Sequence, residues 1–154
     1  MTPVSSSCIL IRPALPADLD DLLQLEELSF TRPWKRADLA REVARPDGLV
    51  LLLKTALAAP VPAYLCARII SPEAELLRIA VAPAARRQGL GRRLLERLVT
   101  DLGRQAITTL HLEVAENNQP ALYLYRQLGF TPAGRRPGYY DQGRTAALLL
   151  TKPC

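Results

Sequence analysis

Apolar positions along the chain change period several times, and each change marks an element. The clearest is a helical stripe in which Leu90, Leu94, Leu95, Leu98, Val99 and Leu102 recur at three- and four-residue steps. Gly103 stands where a C-terminal cap of that helix is expected. Residues 76–81 just upstream form an apolar run that reads as a strand, and Pro83 ends it because proline supplies no ladder N–H. Toward the N-terminus, a Ser-rich tail over 1–7, expected to be mobile, precedes a strand over 8–12. Pro16 opens a helix whose Asp18, Asp20 and Asp21 suit the positive end of its dipole, with Leu19, Leu22, Leu23 and Leu28 as its buried face. Pro33 breaks it, and a second helix over 36–45 stops at Pro46 and Gly48.

Two apolar runs, 49–56 and 63–70, read as a hairpin joined through Pro60 and Pro62. Beyond the long helix comes another strand, 106–115. A crossover helix then starts at Asn117–Pro120, presents Ala121, Leu124, Tyr125 and Leu128 inward, and ends at Gly129. The last strands are 130–136 and 145–150, separated by 137–143. The order β-α-α-β-β-β-α-β-α-β-β predicts an α/β domain built on a mixed sheet.

Composition narrows the class. The 154 residues suit one domain, 1–154, with a sizeable core, and 49% hydrophobic with 23% charged residues is ordinary for a globular protein. The net charge of +5 favours an anionic partner, and nearly all of it is arginine, since lysine occurs only at 35, 54 and 152. Cys8, Cys66 and Cys154 form neither a disulfide framework nor a metal-ligand cluster, and His111 as sole histidine excludes a histidine-rich zinc site. No secretory signal pattern opens the chain, and the run 49–53 is far shorter than the ~20 apolar residues that span a bilayer. The expectation is a cytoplasmic, reduced protein without metal or membrane contact.

The junction between the strand 76–81 and the long helix reads Arg86, Arg87, Gln88, Gly89, Leu90, Gly91, Arg92, Arg93. The first N–H groups of a helix lack internal partners and carry positive potential. Two glycines leave those groups open and four arginines flank them, so a phosphate or pyrophosphate fits. A plain strand-to-helix turn with a solvated basic start fits as well. In the following strand, alternation sets His111, Glu113 and Ala115 opposite Leu110, Leu112 and Val114. A carboxylate in such a strand is costly unless it is used or paired, for instance with an arginine from a helix. Asn118 reads as a helix cap, and Tyr125 as core packing.

Arg-x-x-Gly-x-Gly, directly after Ile79, Ala80 and Val81, resembles the acetyl-coenzyme A signature of the GNAT N-acetyltransferase superfamily. The run 112–118, Leu-Glu-Val-Ala-Glu-Asn-Asn, followed by Tyr-Arg-Gln-Leu-Gly-Phe over 125–130, is similar to the RimI-type branch, whose members acetylate the N-terminal alanine of a ribosomal protein. The resemblance covers nearly the whole chain. It implies the GNAT fold, a mixed six- to seven-stranded sheet flanked by about four helices, and acetyl-CoA as co-substrate. It also implies roles: Glu113 as general base, Tyr125 as general acid and Asn118 as a pantetheine contact. Ile79, Ala80 and Val81 would bond the pantetheine through their backbone, and the residues Arg86, Arg87, Gln88, Gly89, Leu90, Gly91 and Arg92 would hold the pyrophosphate. Trp34 in the Phe30–Trp34 stretch, and the Tyr139–Tyr140 pair in the loop between the last strands, are similar to elements that grip a peptide N-terminus; Trp34 reads equally as a pin between two helices. Where relatives often carry an acidic pair after this loop, Thr145 and Ala146 stand here. A small-molecule amine or a lysine side chain stays open as acceptor, as does a non-catalytic acetyl-CoA-binding role. Nucleic acid is disfavoured by an aromatic content of 5% and no visible stacking motif.

Overall fold

The structure, a computed structural model, describes residues 9–56 and 60–154. The expected tail over 1–7 and the expected strand start at Cys8 lie outside the described residues. The elements are β1 (Leu10–Pro13), α1 (Leu19–Ser29), α2 (Arg36–Ala44), β2 (Gly48–Lys54), β3 (Ala63–Ile70), β4 (Glu73–Val81), α3 (Leu90–Arg104), β5 (Thr109–Ala115), α4 (Gln119–Gln127), β6 (Thr131–Tyr140) and β7 (Thr145–Pro153). They form a seven-stranded sheet in the order β1-β2-β3-β4-β5-β7-β6, in which β4 and β5 are parallel and every other pair is antiparallel.

Helices cover both faces of the sheet. Leu51, Leu53 and Leu65 bury one face against Leu90, Leu94, Leu95, Leu98 and Leu102 of α3 and Leu122 and Tyr125 of α4. Val50, Leu52 and Tyr64 bury the other against Leu22 and Leu25 of α1 and Leu39 of α2. A strand covered on both sides has no polar positions, which is why 50–53 is an unbroken apolar run.

One irregularity in β4 sets up the site. Cys66 pairs with Arg78 but Ala67 with Leu76, so Leu77 is an extra residue, a β-bulge. Ala74 and Leu76 face the α3/α4 core upstream of it; downstream the alternation flips, Ile79 and Val81 facing that core while Ala80 joins the α1/α2 core.

Several expectations change. Gly103 is not the cap of α3: it lies inside the last turn, and the chain turns at Ala106, whose φ of 59° is left-handed. Because of that turn, β5 starts at Thr109 rather than 106. Leu28 does not face the core; Leu22, Leu25 and Glu26 take the inward face of α1, leaving Leu28 57% exposed. Tyr139 and Tyr140 sit at the end of β6 rather than in a loop. A register shift between Arg136 and Tyr140, spanning Pro137 and left-handed Gly138, bends the strand without ending it.

Candidate active site

The parallel β4–β5 ladder runs only from Glu73↔Thr109 to Leu76↔Leu112. Both strands continue, β4 to Val81 and β5 to Ala115, without pairing to each other. The ladder stops where Leu77 bulges, so the carboxyl ends of the strands diverge. On its other side β4 stays paired with β3 as far as Val81. A crevice at the carboxyl ends of parallel strands is the usual ligand site of an open α/β sheet, and the edge of Leu77–Val81 turned toward β5 has backbone polar groups that no strand engages.

At the end of β4, Pro83–Ala85 makes a single 3-10 turn, and α3 begins after Gly89. Gly89 is left-handed (φ 76°, ψ 16°) and gives the helix no side-chain cap, so the first N–H groups of α3 are left for a ligand or solvent. A Cβ on Gly89 would meet nothing within 4 Å, so backbone conformation alone demands glycine there. Gly91 lies in the first turn, and a Cβ on it would sit 3.6 Å from Leu124 and Val81 and 3.8 Å from Ile79. The start of α3, the end of β4 and the inner face of α4 therefore meet at this point. Arg87 is also left-handed (φ 63°), a strained conformation for a side-chain-bearing residue. Arg86 donates from Nε to the carbonyl oxygen of Val81 at 3.1 Å, and Arg92 pairs with Glu96 at 2.9 Å. Leu90 is buried in the core.

Beyond the crevice, Leu110, Leu112 and Val114 of β5 face the α3/α4 core, which turns Glu113 to the opposite face of the sheet. Its carboxylate meets Arg136 of β6 (Oε1 to Nη2, 3.3 Å), so the arginine expected from a helix comes from a strand. Tyr125 of α4 is buried on the α3/α4 side, its ring edge-on to Phe130 at 5.5 Å. Burial, and then the charge of Tyr140, push the Tyr125 hydroxyl up to about 12. Tyr140 is itself raised, by burial first and then by the charges of Glu113 and Tyr139. Tyr140 is thus the electrostatic neighbour of both Glu113 and Tyr125, which approach the open end of β5 from opposite faces. Asn118 caps α4, its Oδ1 accepting from the N–H of Ala121 at 3.3 Å.

Trp34 lies between α1 and α2. Its backbone N–H donates to Glu26 (2.9 Å), and its ring sits 4.9 Å from the guanidinium of Arg78. Tyr139 is edge-on to Tyr140 at 4.9 Å, with Arg136 5.7 Å above its ring. The residues that sequence reasoning missed are Arg136, Glu26 and Arg78. A charged residue within the apolar run 76–81, and a glutamate four residues after Leu22 on the inward face of α1, were the available signals for the last two. A cavity of about 580 Å³ lies between α1, Pro60–Pro62 and the loop Ala82–Gln88, so that Gln88 before α3 also lines it. Among the described residues no group of three His, Cys, Asp or Glu side chains is placed to hold a metal, and no helix is long and apolar enough to cross a membrane.

Comparison with known proteins agrees with this architecture. The chain matches the acetyltransferase (GNAT) family over residues 19–130. It is 33% identical over 138 residues to the ribosomal protein bS18-alanine N-acetyltransferase of Escherichia coli strain K12, covering 88% of this chain and 91% of that protein. It is 30% identical over 134 residues to a putative enzyme of the same name from Bacillus subtilis, covering 86% of this chain and 87% of that one. The crystal structure of the ribosomal-protein-S18-alanine N-acetyltransferase from Escherichia coli superposes with a TM-score of 0.86 at 33% identity, covering 94% of this chain and 93% of that one. The chain therefore belongs to the GNAT acetyltransferase family, in its RimI-like branch, and is an N-acetyltransferase.

Proposed function

We propose that the protein transfers the acetyl group of acetyl-CoA to a protein N-terminal α-amine, that of the N-terminal alanine of a ribosomal protein. One observation carries the transfer reading. The β4–β5 ladder ends at Leu76↔Leu112, opening the sheet where Glu113 stands on one face and Tyr125 on the other. The acceptor reading rests on the relatives named for an alanine N-terminus.

The residues suit acetyl-CoA. The uncapped start of α3 at Gly89, with Arg86, Arg87, Gln88, Leu90, Gly91 and Arg92 around it, takes the pyrophosphate through helix N–H groups and positive charge. The open edge of β4 offers backbone groups of Ile79 and Val81 to the pantetheine amides, while those of Ala80 between them turn to β3. Asn118, with Oδ1 engaged in the cap, has its amide N–H groups to offer. Trp34, Tyr139 and Tyr140 line the acceptor side.

An ammonium must lose a proton before its nitrogen can attack. Glu113 takes that proton, directly or through one water. The neutral amine then forms the N–C bond at the thioester carbonyl; the oxyanion is met by a backbone N–H near Val81, and the C–S bond breaks. Tyr125 donates to the departing sulfur; the second proton, shed by the nitrogen as the amide forms, passes through water to restore the tyrosine hydroxyl, and Glu113 returns its own proton to solvent. Held at about 12, above the usual thiol value of roughly 8.5, the Tyr125 hydroxyl is protonated at the start of every turnover. None of the cysteines takes part.

The test is acetyl-CoA consumption with two peptides, read by mass spectrometry. One has a free N-terminal alanine and no lysine; the other has a blocked N-terminus and one lysine. Acetylation of the first alone is expected. Acetylation of the second alone would move the acceptor to lysine, and turnover on neither would remove the peptide reading.

A further inference from the structure

Glu26 is completely buried on α1, yet its carboxylate is crowded with donors. Arg78 approaches in a fork, Nε at 2.8 Å from Oε1 and Nη2 at 2.9 Å from Oε2. The backbone N–H of Trp34 donates to Oε2 at 2.9 Å, and the Tyr64 hydroxyl donates to Oε1. Arg78 reaches further: its Nη2 donates to the carbonyl oxygen of Arg32 at 2.9 Å, and its guanidinium lies 3.8 Å above the Phe30 ring and 4.9 Å from that of Trp34. Four elements (α1, the loop after it, β3 and β4) are thereby tied at one ion pair.

A buried carboxylate with one charged and two neutral donors is satisfied, but replacing such a pair by packed apolar groups often costs a fold little. Stability alone does not explain why the pair holds a loop. Its position does. Arg78 is the residue before Ile79, and the bulge at Leu77 turns it out of the α3/α4 core and toward α1. The strand that offers its edge to the pantetheine is thus bolted directly to the loop that faces the acceptor.

We propose that Glu26 and Arg78 are positioning residues for the acceptor: they register the Phe30–Trp34 loop against the β4 edge, so that the amine is held near the acetyl group. The proposal rests on the peptide reading above for the acceptor itself. Neither residue touches the reacting atoms. Loss of the pair loosens the loop and leaves the pyrophosphate loop and the open strand edge intact.

Trp34 is the only tryptophan of the chain, so its fluorescence reports this loop without any substrate. Two variants of the full chain are compared with wild type: Arg78→Lys, which keeps the charge but not the fork, and the double variant Glu26→Gln, Arg78→Gln, which leaves no unpaired buried charge. Circular dichroism establishes that each is folded. The expected result in at least the double variant is greater acrylamide quenching of Trp34, a peptide KM raised roughly tenfold or more, and an acetyl-CoA Kd within about twofold of wild type. Trp34 quenching unchanged in both folded variants overturns the proposal, as does a peptide KM unchanged while quenching rises, or an acetyl-CoA Kd weakened as much as the peptide KM. If wild type acetylates no peptide, the peptide reading fails, while quenching still decides whether the pair holds the loop.

Discussion

Glu113 on β5 and Arg136 on β6 form an ion pair, Oε1 to Nη2 at 3.3 Å, across the full width of β7, which lies between their strands. Glu113 is opposite Leu149 and Arg136 opposite Ala147, so the contact runs diagonally over the middle strand. The Arg136 side chain is 56% exposed, and a pair so open to water adds at most about 1 kcal/mol. Its consequence is directional: the carboxylate is held over the first half of β7, toward Tyr140, whose hydroxyl feels its charge. Replacing Arg136 by Met is expected to change unfolding free energy by no more than about 1 kcal/mol, read by urea denaturation.

Glu113→Gln removes the proposed base while keeping its shape. Turnover is expected to fall by roughly 10²–10⁴-fold, with acetyl-CoA binding by calorimetry unchanged. Turnover near wild type would take Glu113 out of the mechanism.

Tyr125 carries a pH signature. Its hydroxyl is raised to about 12 in the fold, against roughly 10 in the unfolded chain. Between those values the native state holds a proton that the unfolded state has lost. The stabilisation is therefore complete below about pH 10 and disappears as pH rises toward 12. Tyr125→Phe should flatten the fall of the urea midpoint over that window, with Tyr140 and the other raised groups supplying what slope is left. At pH 7.5 the same variant should lower kcat by about 10²-fold, read under saturating acetyl-CoA.

The two glycines of the loop predict opposite outcomes. Gly89 needs its positive φ, so Gly89→Ala forces strain of about 1–2 kcal/mol and shifts the N–H groups at the start of α3; weaker acetyl-CoA binding is expected. Gly91 is helical, and an added Cβ finds ordinary contacts at 3.6–3.8 Å. Gly91→Ala should raise the thermal midpoint, by a gain of up to about 1 kcal/mol in helix propensity, and should bind acetyl-CoA within severalfold of wild type.

The cysteines differ in access. Cys66 is fully buried, and desolvation, reinforced by Glu42, pushes its thiol up to about 12; Cys154 is exposed at the end of the chain. In a Cys8→Ser background, a disulfide reagent is expected to titrate Cys154 quickly and Cys66 only after denaturant is added.

The order of elements was legible because each hydrophobic period changes abruptly, as between the run 50–53 and the stripe from Leu90 to Leu102. Gly89 stood out as a residue that leaves the helix N–H groups open, though the left-handed φ that demands glycine there shows only in the structure; Glu113 stood out because a carboxylate among Leu112 and Val114 needs a reason. What stayed hidden depends on contacts far apart in sequence. Nothing local marks where the β4–β5 ladder stops, since the bulge at Leu77 appears only once β3 is in register. The partner of Glu113 came from β6, 23 positions away, because β7 inserts between β5 and β6. Leu28 looked like core because it continues the leucines of α1, yet Glu26 takes the inward place once Arg78 reaches it. Ala106 displaced Gly103 as the turning residue because a left-handed alanine has no sequence signature.

The most direct test is to bind a conjugate of coenzyme A joined to the N-terminus of an alanine-initiated peptide and to follow backbone and indole N–H signals by NMR. Binding in the crevice predicts shifts at Ile79, Ala80, Val81, Gly89, Glu113, Tyr139, Tyr140 and the Trp34 indole, along both sides of the gap between β4 and β5. Shifts confined instead to Asp21, Gln24, Leu28 and Thr55, around the cavity of about 580 Å³ beside α1, would contradict it.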